Sequence, residues 1–206
     1  MDQLAVRRLT VRLFHDPISG NCYKVRLALA QLDREVELVP ISVREPRPPE
    51  LLALSPTGRV PLLVLDDGRP LSESNAILCY LAEGSPLLPD DPHDRAVVMS
   101  WLFFEQNLHE PYIACRRFWV AYAEDPSQRA DQLEFWLKGG NAALKKMNDW
   151  LEEHEFFGPA YSIADIALYG YTHVAEEGGF QPRKHHALAA WLDRVAARPD
   201  HVAMLT

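Results

Sequence analysis

Residues 9–32, LTVRLFHDPISGNCYKVRLALAQL, decide the reading of the fold. Leu9, Val11 and Leu13 alternate with Thr10 and Arg12, a period of two that predicts a strand over 9–14. Pro17-Ile18-Ser19-Gly20 then breaks the chain, because proline withholds a backbone donor and glycine loosens the turn. Beyond it Val25, Ala28, Leu29 and Leu32 recur at helical spacing over 24–32. A strand that turns into a helix is the first unit of an α/β layer. Working outward, EVELVPI at 35–41 predicts a second strand, the arginine- and proline-bearing stretch 42–48 a loop, and 49–54 a helical turn. Pro61 opens the apolar run PLLVL, Asp67-Gly68 is a hairpin signal, and 69–71 returns as a short strand. Ser74 to Gly84 closes the series with a helix that carries Ile77, Leu78 and Leu81 on one face. The order is βαβ, helix, ββα.

The sequence then changes character. GSPLLPDDPHD at 84–94 holds Pro86, Pro89 and Pro92, which interrupt regular structure and mark a linker. After it the pattern is helical throughout: a long aromatic-rich helix over 95–123 kinked at Pro111, then 128–153, 162–175 and 186–197. The expected class is α/β plus all-α, with a first domain at 9–84, a linker at 85–94 and a helical domain at 95–206. Of 206 residues 48% are apolar and 24% charged, which is globular composition and excludes a disordered chain. A net charge of −8 with no basic block is a poor counterion for phosphate backbones, so nucleic acid is not an expected partner. No apolar run approaches the ~18–20 residues that span a bilayer, so no membrane is expected either. MDQLAVRRLT lacks the apolar stretch of a signal peptide. Cys22, Cys79 and Cys115 are odd in number and far apart, which fits a reducing cytoplasm rather than a disulfide framework. The histidines show no metal-ligand spacing, so no metal is expected.

Four segments bear polar groups where chemistry is commonly placed. Ser19-Gly20-Asn21-Cys22-Tyr23-Lys24 lies at a strand-to-helix turn, where free N–H groups and the positive end of the helix favour anions. Ser19 is equally suited to capping that helix. Gly58-Arg59-Val60-Pro61 opens a strand on a proline; about 5–6% of such bonds are cis in folded proteins. Leu71 to Ile77 sets Glu73 and Ser74 where a strand feeds a helix, a pair that either holds an amino-acid head group or caps the helix. Ser162-Ile163-Ala164-Asp165 has capping-box spacing, which assigns it to folding rather than chemistry.

In order and spacing the pieces PISGNCYKVRLAL, SPTGRVPLLV, LSESNAILCYLAE and YSIADIALYGYTHVAE resemble the cytosolic glutathione transferases, from Leu9 onward. The nearest motifs are those of bacterial members and of the theta-, zeta- and nu-like groups. The resemblance implies a thioredoxin-like domain that binds glutathione and a helical domain that supplies the co-substrate site. It places Ser19 at the position of a catalytic serine and Asn21 at that of a working asparagine, and leaves the choice between them open. It makes Val60-Pro61 the cis-proline segment and Glu73 with Ser74 the γ-glutamyl-binding pair. Arg44, Arg47 and Arg59 are candidates for the glycyl carboxylate. The implied activity is ionisation of the glutathione thiol for attack on a hydrophobic electrophile, or on a disulfide or peroxide, in a cytoplasmic homodimer. The alternative is a non-catalytic binding module of the same fold, of the stringent-starvation kind. Ser19 stands where a thioredoxin has the first cysteine of C-x-x-C, so a cycle using two protein sulfurs is not expected.

For the co-substrate pocket, Glu105, His109, Tyr112 and Arg116 fall at i, i+4, i+7 and i+11, one stripe on the long helix beside the apolar Trp101, Phe104, Leu108 and Cys115, which faces either the cleft or a partner subunit. Phe104, His109, Tyr112 and Arg116 are the residues expected to line that pocket.

Overall fold

The computed structural model of the chain describes residues 11–55 and 57–205. Leu9 and Thr10, the first two residues of the expected strand, fall outside them. Strand β1 (Val11–His15) lies centrally, paired in parallel with β2 (Val36–Pro40) and antiparallel with β3 (Leu62–Val64), which pairs antiparallel with β4 (Pro70–Ser72). The order β2-β1-β3-β4 makes a four-stranded mixed sheet. Helices α1 (Gly20–Gln31) and α3 (Ser74–Ala82) cover one face, and α2 (Pro49–Leu54) the other. Both faces are therefore buried: Leu13 packs into the main core, while Phe14 joins Ile41, Leu51, Leu62 and Val64 in a second cluster. That is why strand β1 carries adjacent apolar residues at 13 and 14 as well as alternation.

Helix α1 begins at Gly20, four residues before its apolar spacing becomes visible, because Ser19 is its N-cap. The second half contains α4 (Pro92–Phe104), α5 (Glu110–Ala121), α6 (Ala130–Leu151), α7 (Ile163–Thr172) and α8 (His186–Ala196). The single helix expected over 95–123 is two, joined by a turn of π-helix at Glu105–His109. Pro111 lacks the N–H that would continue the regular ladder, and the wider turn accommodates this. One extra residue in that turn rotates every later side chain relative to a continuous helix.

Helix α7 lies at the centre of the second half, with all ten residues buried. Its capping box is formed: Ser162 Oγ accepts from the Ala164 N–H at 3.2 Å, and Asp165 accepts from the Ser162 N–H at 3.0 Å. Asp165 also accepts from Trp191 Nε1 at 2.9 Å, tying α7 to α8. Helices α1 and α7 meet through Gly20 and Gly170, where backbone stands almost against backbone. A Cβ on Gly20 would lie 2.6 Å from the Gly170 carbonyl oxygen and 2.7 Å from the Tyr171 ring. This contact joins the sheet domain to the helical bundle. No helix among the described residues is long and apolar enough to cross a membrane.

Candidate functional site

The site is built where β1 gives way to α1. Asp16 accepts from the backbone N–H groups of Ile18, at 2.9 Å, and Val43, which folds the intervening turn. Arg117 of α5 reaches across to donate to the Ile18 carbonyl, while its other nitrogens bond Tyr122 Oη at 2.8 Å and Glu177 Oε2 at 2.9 Å. Ser19 Oγ accepts from the Cys22 N–H at 3.3 Å. It uses a lone pair for the cap and keeps its own proton.

Asn21, two residues on, is fixed from three directions. Its Oδ1 accepts from Lys24 Nζ at 2.7 Å and from Ser74 Oγ at 3.1 Å, and its Nδ2 donates to Glu110 Oε1 at 3.1 Å. Lys24 is in turn ion-paired with Glu105 at 2.7 Å, both side chains fully buried. Asn75 and Gln106 donate to the second Glu105 oxygen, each at 3.0 Å. Burial presses the Glu105 pKa upward, but Lys24, His109 and these hydrogen bonds outweigh it and hold the carboxyl below its ordinary range. Glu110 is displaced upward, chiefly by burial. The sequence puts Glu105 on a helical stripe and Lys24 in the turn segment, but carries no signal that the two pair, because the contact is long-range.

Two concavities meet at this turn. A small polar pocket is lined by Asn21, Arg59, Val60, Pro61, Glu73 and Ser74, with Gln106 and Glu110 from the helical side. The Val60-Pro61 bond is cis. Glu73, at the start of α3, has φ of 71°, a left-handed conformation that costs a non-glycine residue about 1–3 kcal/mol and is commonly held at sites. No side chain caps α3, and Ser74 is its first residue. The N-termini of α1 and α3 therefore both point into the pocket, joined by the Ser74–Asn21 bond, a favourable field for an anion.

The second concavity, about 430 Å³, is lined by Ile18, Ser19, Val43, Ala114 and Phe118, with Arg59, Arg117, Tyr122 and Tyr171. Burial pushes the Tyr171 phenol up, while hydrogen bonding with Ser19 and the Asn21 N–H acts the other way. Tyr171 is protonated at neutral pH and placed beside Ser19. Nothing in its capping-box helix marked it for this place, since the Gly20–Gly170 contact brings it there.

Of the expected glutathione-binding residues, Ser19, Asn21, Arg59, Val60, Pro61, Glu73 and Ser74 are brought together. Arg44 is exposed and lines neither concavity, and Arg47 is used up on the carbonyls of Ser42, Glu45 and Gly58. The residues expected for the co-substrate pocket are corrected. Phe104 packs edge-on to Trp101, Tyr112 against Phe135, and Arg116 donates to the Leu133 carbonyl at 3.0 Å. His109 is fully buried and bonded to Thr172 Oγ1 at 2.8 Å. Since Thr172 gives its one proton to the Leu168 carbonyl, His109 Nε2 is the donor and Nδ1 carries the lone pair. Burial lowers its pKa to about 4, so it is neutral at pH 7. For the residues from His109 onward the physical reason is the π turn, after which the cleft-facing stripe is Glu110, Ala114, Arg117, Phe118 and Tyr122; Phe104, ahead of that turn, is held by its packing on Trp101. The spacing of that second stripe was available in the sequence; the change of phase was not.

Cys22 is wholly buried and its thiol is pushed up to about 12, chiefly by burial. Asp91, His93 and Asp94 cluster at the exposed start of α4, where Asp91 already accepts the helix's first N–H groups.

A thioredoxin-like sheet followed by an all-helical domain, with helix N-termini at a cis-proline pocket, defines a glutathione-transferase fold. The family models agree: "Glutathione S-transferase, N-terminal domain" matches residues 13–89 and "Glutathione S-transferase, C-terminal domain" residues 112–199. The chain is 30% identical over 199 residues to the glutathione S-transferase GstA of Escherichia coli O157:H7, covering 92% of this chain and 94% of that protein. A crystal structure of a glutathione S-transferase from Pseudomonas fluorescens superposes with a TM-score of 0.92 at 43% identity, over 95% of this chain and 99% of that one. A glutathione transferase from Pseudomonas putida, solved with one glutathione disulfide bound per subunit, matches with a TM-score of 0.79 at 26% identity, over 96% and 91%. The chain belongs to the glutathione S-transferase family.

Proposed function

We propose that the protein is an active glutathione transferase that ionises the glutathione thiol at the N-terminus of α1 and delivers it to an electrophile in the larger cavity. The observation that carries this reading is the adjacency of the two concavities: Asn21 lines the polar one, Ser19 the larger one, and Arg59 both. A tripeptide held in extended form along Val60-Pro61, its γ-glutamyl carboxylate on Ser74 at the start of α3 and its ammonium on Glu73, sets its sulfur at their junction.

A free thiol with a pKa near ~8.5 is only a few per cent ionised at pH 7, and lowering that by two units takes about 2.7 kcal/mol. Ser19 is suited to donate to the sulfur, because its oxygen accepts from the Cys22 N–H and its hydroxyl hydrogen can rotate toward a bound thiolate. A hydroxyl that accepts a hydrogen bond is polarised into a better donor. Asn21, held by Lys24, Ser74 and Glu110, positions the pocket and has one amide hydrogen to spare. The thiol proton leaves to solvent. The thiolate then attacks carbon and expels a leaving group, or attacks a disulfide sulfur and expels a second thiolate.

In the same reading the protein works in the cytoplasm as a homodimer; Leu52, Tyr80 and Phe103 stand exposed for a second subunit to cover. The test is calorimetric titration with glutathione followed by turnover of an activated aryl chloride. Heat of binding with turnover supports the transferase. Absence of both supports the non-catalytic binding module and overturns this reading.

A further inference from the structure

Resting on the transferase reading above, we infer that the preferred co-substrate is an apolar electrophile bearing a carboxylate, and that Arg59 is the residue that reads the charge. The larger cavity has two kinds of wall. Ile18, Val43, Ala114 and Phe118 offer an apolar face, and Arg59 and Arg117 bring two guanidinium groups to the other side. Among the described residues no acidic side chain lines it. That is notable in a chain with 29 acidic and 21 basic residues, where arginines near a cleft would ordinarily meet a carboxylate of their own.

The two arginines are not equivalent. Arg117 is buried and committed to Ile18, Tyr122 and Glu177, with its charge answered at 2.9 Å. Arg59 makes no hydrogen bond or ion pair among the described residues and is exposed at the mouth shared by both concavities. Glu110 is an acidic group whose field reaches it, and Glu110 is already engaged by Asn21. A guanidinium in this state has five donors in a planar fork, the geometry that matches a carboxylate. A molecule whose ring lies on Phe118 and whose carboxylate meets Arg59 would present its reactive carbon on the Ser19 side.

The probes are para-chloro-meta-nitrobenzoate and the matching benzamide, which differ in charge at nearly equal size. In each, the thiolate sulfur bonds to the ring carbon bearing chlorine, the carbon–chlorine bond breaks with its electron pair, and chloride leaves. Rates are taken at saturating glutathione, and each kcat/KM is divided by the uncatalysed rate constant of the same compound. The expected result is a preference for the acid of about tenfold or more, the scale of a charge-assisted bond, which shrinks as salt rises. In Arg59→Gln the ratio of the two normalised rates, acid over amide, should fall to about one, whatever the change common to both probes. The glutathione conjugates of the two compounds, titrated calorimetrically, give the same comparison as affinities.

Equal normalised rates in the wild type, or a preference that survives in Arg59→Gln, would overturn the inference and leave the transferase reading intact. A variant whose defect is a raised KM for glutathione, equal with both probes, would assign Arg59 to the glycyl carboxylate instead. Absence of glutathione binding would overturn the transferase reading, and this inference with it.

Discussion

Replacing Gly20 with alanine adds one carbon where α1 crosses α7. That carbon would stand 2.6 Å from the Gly170 carbonyl oxygen and 2.7 Å from two atoms of the Tyr171 ring. Non-bonded carbon contacts settle at about 3.5–4.0 Å, so the helices must separate by roughly 1 Å. Neither neighbour can move alone: Gly170 belongs to the buried central helix, and the Tyr171 ring is 8% exposed. Overpacking of this kind costs about 1–3 kcal/mol, and in a chain of this size each kcal/mol lowers Tm by about 2–4 °C. The same displacement draws Tyr171 away from Ser19, and Glu105 away from the Lys24 that holds Asn21. Misplacement by about 1 Å can cost up to ~100-fold in rate, so kcat/KM should fall between about tenfold and that limit.

The assay pairs a thermal melt with kcat/KM for an aryl chloride. Gly140→Ala is the control, because its Cβ would meet Phe180 at 2.3 Å, away from both concavities. It should lose stability and keep its rate. Wild-type kcat/KM in Gly20→Ala, or an equal loss of rate in Gly140→Ala, would refute the claim that this crossing sets the site.

Three further outcomes follow from the buried groups. Lys24→Met strands the Glu105 carboxylate in the interior, which should cost about 3–5 kcal/mol in urea denaturation; adding Glu105→Gln should recover much of it, and an unchanged midpoint would count against the pair. The Asp165 pKa is raised by burial to about 6 from an ordinary 3.8. Its contribution to stability is therefore full below the unfolded value and is lost as pH rises through 6. By linkage the loss is on the order of 3 kcal/mol; the stability gap between wild type and Asp165→Asn, followed by denaturation from pH 4 to pH 7, should move in that direction, and a gap independent of pH would refute it. Cys22, wholly buried, should resist thiol reagents in the native state, and Cys22→Ala should keep kcat/KM within roughly twofold; rapid native labelling of Cys22 would contradict the packing.

How far the sequence carries can be judged from particular residues. Alternation and helical spacing around Ser19 gave the α/β class, because strand and helix periods are local properties that binary patterning records directly. Ser162 and Asp165 announced their capping box for the same reason. The start of α1 is invisible to periodicity, since Gly20 to Tyr23 are held by the Ser19 cap and the Gly170 contact rather than by apolar spacing. The co-substrate face is not legible from spacing, because a single π turn ahead of Pro111 changes the phase of everything after it and puts His109 in the core. Lys24, Glu105 and Tyr171 act across long sequence separations. Such contacts are set by how α1, α5 and α7 pack, and no local pattern encodes that.

The central claim is that the N-terminus of α1, through Ser19, holds glutathione as its thiolate. The direct measurement is the ultraviolet thiolate band that appears when glutathione is titrated into the protein at neutral pH, in the wild type, Ser19→Ala and Asn21→Ala. The account predicts a saturable band in the wild type, most of it lost in Ser19→Ala with binding retained, and weaker glutathione binding in Asn21→Ala. A band that is undiminished in Ser19→Ala, or no band in a wild type that binds glutathione, would contradict it.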